Sequence, residues 1–273
     1  MLALGALIIL AMILIFIIVS QNSLAGKELV IVTSHYKEDL EWLKDAPYDV
    51  IVCDKAGSDP SPFSPDARCS MDVNRGREAS SFLKFIIEYY DELPKYVAFI
   101  HGHEDSGHQK NPYTIMDSIS RAKKEGHDYI SLNNILQVSG LSDNPTFNRH
   151  PVDDKIFSIQ PTARPTHELM KELWPEYFEP ILGIEFPTDL RYQCCAQFIV
   201  SREAIRRHPK SVYEKLYNMV KDPSLDDYLT ATTMEFTWHM IFGSKPDICD
   251  NDGDVIYDEC TNSSYLRSRF NTD

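Results

Sequence analysis

The densest run of chemistry-bearing side chains is HGHEDSGHQ, in which His101, His103, Glu104, Asp105 and His108 follow the apolar run YVAFI, Tyr96 to Ile100. An apolar, β-branched and aromatic run of that length reads as a buried strand. The carboxyl end of such a strand is where an open α/β sheet keeps its ligands. If the strand continued, His101, His103 and Asp105 would point to one side, because side chains alternate along a strand. Two imidazoles and a carboxylate suit a divalent cation, Mn2+ or Mg2+ first and Zn2+ second. The plainer alternative is a loop whose histidines only hydrogen-bond and whose acids are solvated.

Three further patterns could carry chemistry. In NRGRE (Asn74 to Glu78), a glycine between Arg75 and Arg77 ahead of a helix offers guanidinium forks and backbone N–H groups to a phosphate or carboxylate. Its structural alternative is a helix start capped by Asn74, with Glu78 at the positive helix end. Glu235 and His239 stand four apart on a helix beside Trp238, where a carboxylate among aromatic rings can keep a raised pKa and act as a general base. They could equally be an exposed pair. DNDGDVIYDE (Asp250 to Glu259) resembles a calcium loop out of register, with Ile248 in the first position, and reads better as a polar turn. Serine-hydrolase, P-loop and HExxH motifs are missing from the sequence.

The elements that must position these residues alternate between strand and helix. ELVIVTS (Glu28 to Ser34) reads as a strand buried on both faces, YDVIVCDK (Tyr48 to Lys55) as the second strand and YVAFI as the third. Helices are expected over Lys37 to Leu43 and Glu78 to Tyr90, the second burying Phe82, Phe85, Ile86 and Tyr89. Gly57 to Pro65 is a loop. This order implies parallel pairing with right-handed crossovers. Beyond it, a helix over Tyr113 to Lys124 and a short strand over His127 to Leu132 precede a loop-rich middle, Val138 to Pro165. Pro165 to Leu173 is helical, Cys194 to Ser201 is a strand, and helices follow over Arg202 to Arg207, Ser211 to Val220 and Tyr228 to Phe242. The fold class is α/β, a single domain with a mostly parallel central sheet flanked by helices.

Composition bounds the partners. The 273 residues carry 27 Lys and Arg against 41 Asp and Glu, a net charge of −14 that argues against nucleic-acid binding. From Leu2 to Val19 the chain is apolar without a charge, close to the roughly 20 residues a membrane-spanning helix needs. Residues 1–25 are therefore expected to be a transmembrane signal anchor, or a cleaved signal peptide ending at the small residues Ser23-Leu24-Ala25. Residues 26–245 form the α/β domain and 246–273 a polar tail. Lys27 after the span favours a cytoplasmic body. The six cysteines favour a lumenal one in the Golgi or ER, or a secreted protein if the segment is cleaved. Their pairing stays open: Cys249 and Cys260 could close a loop, and Cys53 in a strand reads as a buried thiol. Asn262-Ser263-Ser264 is a usable glycosylation sequon.

Four ordered segments, IVTSHYKEDLEWL, NRGREASSFLKFIIEYYDELPKYVAFIHGH, CCAQFIVSREAI and MEFTWHMIFG, resemble a domain family of unknown function, DUF3431, over about Glu28 to Gly243. The same pattern is similar, more distantly, to nucleotide-sugar glycosyltransferases of the GT-A fold, of the rhamnan synthesis protein F type. Those share an N-x-G-R-[DE] motif before a helix and a strand ending in a His-containing loop. By that resemblance Thr33, Ser34, Tyr36 and Asp54 line a nucleotide pocket beside Asn74, Arg77 and Glu78. His101, His103 and Asp105 stand where such enzymes carry a metal-binding Asp-x-Asp, which this chain lacks. Glu235 takes the place of the base that deprotonates an acceptor hydroxyl.

The function expected is a membrane-anchored glycosyltransferase-like protein that moves a sugar from a nucleotide-sugar donor to a glycan or glycoconjugate acceptor. Two alternatives stand beside it. One is a metal-dependent hydrolase using His101, His103 and Asp105, and the other is an inactive glycan-binding protein.

Overall fold

The computed structural model describes residues 23–55, 57, 69–71, 73–104, 114–133, 136–140, 159–161, 164–187, 189–193 and 195–243. The apolar segment Leu2 to Val19, Asp105, His108, the calcium-like stretch, the sequon and the polar tail lie outside them. Among the described residues no helix is long and apolar enough to cross a membrane.

Six strands form the main sheet: β1 (Leu29–His35), β2 (Asp49–Asp54), β3 (Cys69–Ser70), β4 (Tyr96–Ile100), β5 (Tyr129–Ser131) and β9 (Phe198–Ser201), in the order β3-β2-β1-β4-β9-β5. Pairings β1 with β2, β1 with β4 and β2 with β3 are parallel. Those of β9 with β4 and with β5 are antiparallel. The sheet is thus mixed, which corrects the expectation of a mostly parallel one. Inserting β9 between β4 and β5 reverses the direction on that side, a long-range pairing that local periodicity does not encode. A second, three-stranded sheet of β6 (Leu136–Gly140), β7 (Ile159–Pro161) and β8 (Asp189–Gln193) occupies part of the middle expected to be loop.

Helices cover both faces, so the central strands β1 and β4 are almost wholly buried, while β2, nearer the sheet edge, is exposed at Asp49 and buried at Val52 and Cys53. On one face α1 (Arg77–Tyr89) packs with α6 (Lys210–Lys221) and α7 (Asp227–Ile241), above the short α5 (Arg202–Ile205) that follows β9. Phe82 of α1 meets Phe99 of β4 at 4.7 Å between ring centroids, and Trp238 of α7 stacks on Phe242 at 5.6 Å. Phe198 of β9 touches Phe82, Phe99 and Trp238 and joins the two helices through the sheet. The other face is covered by α2 (Ile115–Glu125), through Ile115, Ile119 and Ala122, and by Leu40 and Leu43. The remaining helices, α3 (Arg164–Leu173) and α4 (Glu179–Leu182), flank a π-helical turn at Trp174–Phe178.

Two local expectations change. The helix expected over Lys37 to Leu43 is a single 3-10 turn, Glu41–Leu43, held back by the left-handed backbone of Lys37 at φ 82°. The strand expected from Cys194 starts only at Phe198, because Cys195 and Ala196 both take positive φ and turn the chain. Cys53 is no thiol: it is disulfide-bonded to Cys69, tying β2 to β3, and Cys195 is also disulfide-bonded. An edge strand of two residues was invisible to pattern reading, so its partner cysteine looked unengaged.

Candidate functional site

The chain passes from β1 to β2 on one side of the sheet and returns to β4 on the other, so the strand order reverses between β1 and β4. The crevice outside the carboxyl ends at such a reversal is the expected ligand site. A cavity of about 490 Å³ lies there. Ser34 near the end of β1, Tyr36 and Glu38 after it, and His101, Gly102 and His103 after β4 form one side. Lys55, Asn74, Arg77 and Glu78 close a second, and Cys195, Tyr228, Thr232 and Glu235 a third.

Two loops meet because Gly102 lets them. A Cβ on Gly102 would lie 2.9 Å from the Ser34 carbonyl oxygen and 3.3 Å from the Glu38 side chain, so only glycine allows the β1 and β4 loops this approach. The Gly102 carbonyl accepts the Trp42 indole N–H at 3.0 Å. Gln197 accepts the His101 backbone N–H at 3.1 Å and donates to Asn133 at 3.0 Å. His101 and His103 present their rings 5.1 Å apart. Among the described residues, no group of three histidine, cysteine or acidic side chains stands together as a metal site.

The NRGRE segment divides its labour at Gly76. Gly76 has φ 69° and is the residue before α1, and its neighbour Arg77 also lies in the left-handed region, at φ 44°. The turn sends the two arginines to different places. Arg75 donates to the carbonyls of Asp222 and Leu225 at 3.0 and 2.8 Å, and Asp227 accepts the Gly76 N–H at 2.6 Å. Arg75 therefore fastens α1 to the α6–α7 connection, which corrects its reading as an anion ligand. Arg77 turns to the cavity, its guanidinium over the Tyr228 ring at 4.6 Å. Asn74 lines the cavity and does not cap the helix: the cap position is Gly76, without a side-chain hydrogen bond.

Lys55, unnoticed in the sequence, holds this turn. Its ammonium donates to the Arg75 carbonyl at 2.8 Å, to the Arg77 carbonyl and to Ser80 Oγ at 2.7 Å. Burial pushes its pKa down to about 8, against the charges of Glu78, Asp227 and Glu38. In the sequence it is only the last residue of the run Tyr48 to Lys55. Only the packing of the α1 start over it shows its role.

Helix α7 is buried along its length except at its first residues and at Thr232 and Glu235. Tyr228, Thr232 and Glu235 share one face at helical spacing, and that face is the cavity wall. Burial first, and the neighbouring Glu78 charge after it, raise the Glu235 carboxyl to about 8, against Arg77 and the Cys195 backbone N–H, which donates to it. Cys195 offers that N–H from a left-handed backbone, φ 81°. Glu78 is raised as well, by burial first, against its own backbone N–H, Lys55, Arg77 and His103. Both carboxyls therefore keep their protons to higher pH than an exposed glutamate would.

Of the residues expected from sequence, Ser34, Tyr36, Asn74, Arg77, Glu78, His101, His103 and Glu235 are brought together here. Thr33, Asp54 and His239 are placed elsewhere. Thr33 is fully buried within β1. Asp54 pairs with His35 Nδ1 at 2.9 Å. His239 is buried, 2% exposed, and absent from the cavity wall. Glu38, Lys55, Cys195, Tyr228 and Thr232 are the additions, and the helical spacing of 228, 232 and 235 was the one signal that could have found the last two.

A family model described as a protein of unknown function, DUF3431, matches residues 30–258. No curated protein and no solved structure matches the chain.

Proposed function

For this chain, which belongs to the DUF3431 family of unknown function, we propose a glycosyltransferase-like activity, transfer of a sugar from a nucleotide-sugar donor to a glycan hydroxyl. One observation carries the reading: the Glu78 and Glu235 carboxyls, both raised by burial, line one cavity at the reversal point of an α/β sheet. A carboxylate raised to about 8 is a strong enough base to take a hydroxyl proton near neutral pH.

In this mechanism the Glu235 carboxylate removes the proton of the acceptor hydroxyl. The oxygen then bonds to the anomeric carbon, and the bond to the diphosphate breaks with its electron pair leaving on that group. Arg77, in the cavity lining, is a cation available to such an anion. Lys55 acts through the backbone, holding Arg77 and Glu78 in position. A divalent cation would be held by His101 and His103 and would stabilise the leaving diphosphate; no step here depends on it. The disulfides favour an oxidising compartment, in keeping with a lumenal or extracellular domain behind an N-terminal anchor.

The test is nucleoside-diphosphate release from a panel of sugar nucleotides in the presence of glycan acceptors. The wild-type chain should consume at least one donor, and Glu235→Gln should lower the rate by about a hundred- to ten-thousand-fold. Consumption of none, with no thermal stabilisation by any nucleotide, would sink the reading.

A further inference from the structure

Among the described residues, the large hydrophobic side chains left exposed are Tyr36, at 44%, and Tyr228, at 51%, and both line the same cavity. Scattered exposed apolar residues need no explanation. Two aromatic rings confined to the mouth of one cleft do. They sit on different walls, Tyr36 after β1 and Tyr228 on the first turn of α7.

Tyr228 is the better defined of the two. The Arg77 guanidinium lies over its ring and braces it. With half of the residue exposed, the ring keeps surface for a ligand. Along the same helix face, Thr232 and Glu235 follow toward the paired carboxyls. Thr232 Oγ1 donates its proton to the Tyr228 carbonyl at 2.8 Å, which leaves the oxygen to accept. The wall thus presents, in order, an aromatic face, a hydroxyl acceptor and a general base.

We propose that the Tyr228–Thr232–Glu235 face of α7 is an acceptor subsite for an oligosaccharide. A pyranose ring stacks its apolar C–H face on Tyr228, a hydroxyl donates to Thr232, and a hydroxyl of the neighbouring sugar reaches Glu235. This rests on the transferase reading above and deepens it. Seven residues of α-helix rise about 10 Å, longer than one sugar ring, so the acceptor is a chain of at least two sugars. Ser34, Tyr36, His101 and His103 line another side of the cavity, and that side is left for the donor.

The experiment is saturation-transfer NMR on the full chain with methyl glycosides of single sugars and with the matching methyl disaccharides, alone and with uridine diphosphate. Saturation should reach ring C–H protons, more strongly in a disaccharide than in its monosaccharide. Tyr228→Ala should weaken disaccharide binding on the order of tenfold, while Tyr228→Phe and Tyr228→Trp retain it. Uridine diphosphate should leave the saccharide signals in place. Equal binding by Tyr228→Ala overturns the subsite, as does the absence of saccharide signals. Transfer of saturation to the uracil ring that disappears in Tyr228→Ala overturns it too, since Tyr228 would then hold the base. Saccharide binding without consumption of any sugar nucleotide keeps the subsite and rejects the transferase. Turnover with an acceptor KM unchanged in Tyr228→Ala does the reverse.

Discussion

Glu78, in the first turn of α1, and Glu235, in the second half of α7, face one cavity, and the charge on Glu78 helps to push the Glu235 carboxyl up to about 8. Two helices from distant parts of the chain are needed to make that pair. Each is set by a neighbour that has no chemistry of its own: Gly76 turns the start of α1, and Cys195 delivers a backbone N–H to Glu235.

The effect of Glu78 on Glu235 gives the activity a pH signature. A general base works when deprotonated, so kcat/KM should climb with pH and level off above about 8, the value of Glu235. Glu78→Gln removes a charge that raises Glu235. The rising limb should then move to lower pH, even if the maximum rate falls. Rate profiles of the two proteins between pH 5 and 10 check this, and a limb that stays in place would separate the two carboxyls.

The same group should mark the stability of the fold. Its ordinary value is 4.5 and its folded value about 8, so the native state binds more protons than the unfolded chain between those limits. A raised folded value means that this contribution is complete below 4.5 and is lost as pH rises through about 8. Glu235→Gln cannot lose it. The unfolding free energy of the wild type should therefore fall relative to that of Glu235→Gln between pH 5 and 9, as read from urea midpoints at each pH. Parallel curves would contradict the burial assigned to Glu235.

Gly76→Ala should be severe. The added Cβ would lie 1.9 Å from Val220 Cγ1, and the φ of 69° strains any residue with a Cβ. Left-handed strain of about 1–2 kcal/mol and overpacking of about 1–3 kcal/mol together predict a loss near 3 kcal/mol. Denaturant unfolding measures it. A loss under about 1 kcal/mol would mean that α6 yields easily at Val220.

Much of this site was legible before the fold was known, and the failures share a cause. His101 and His103 followed from a strand that ends where ligands collect, and Glu235 from a carboxylate among aromatic residues on a helix. Both signals are local. Arg75 and Arg77 looked alike because they flank one glycine, yet Arg75 meets Asp222 and Leu225, residues far along the chain. Lys55 was read only as the end of a strand for the same reason: its acceptors lie in and just before the next helix. Helix limits were close, Arg77–Tyr89 against Glu78 to Tyr90, since caps and periodicity are written nearby. The antiparallel insertion of β9 was missed, because no residue of Phe198–Ser201 states which strand it will join.

The Cys53–Cys69 disulfide offers a last test, one that separates scaffold from site. It links residues 16 apart and fastens the two-residue β3 to β2. Cross-linking a loop of that size removes conformations from the unfolded chain and stabilises by about 3 kcal/mol. Neither cysteine lines the cavity, so Cys53→Ala with Cys69→Ala should lower stability by about that amount and leave ligand affinity unchanged at temperatures where both proteins are folded. Thermal unfolding and nucleotide or glycan titration of the same samples give the two readings. An affinity that falls together with stability would mean that β3 and the Asn74–Glu78 turn move as one unit, and that the bridge helps shape the cavity as well as the sheet edge.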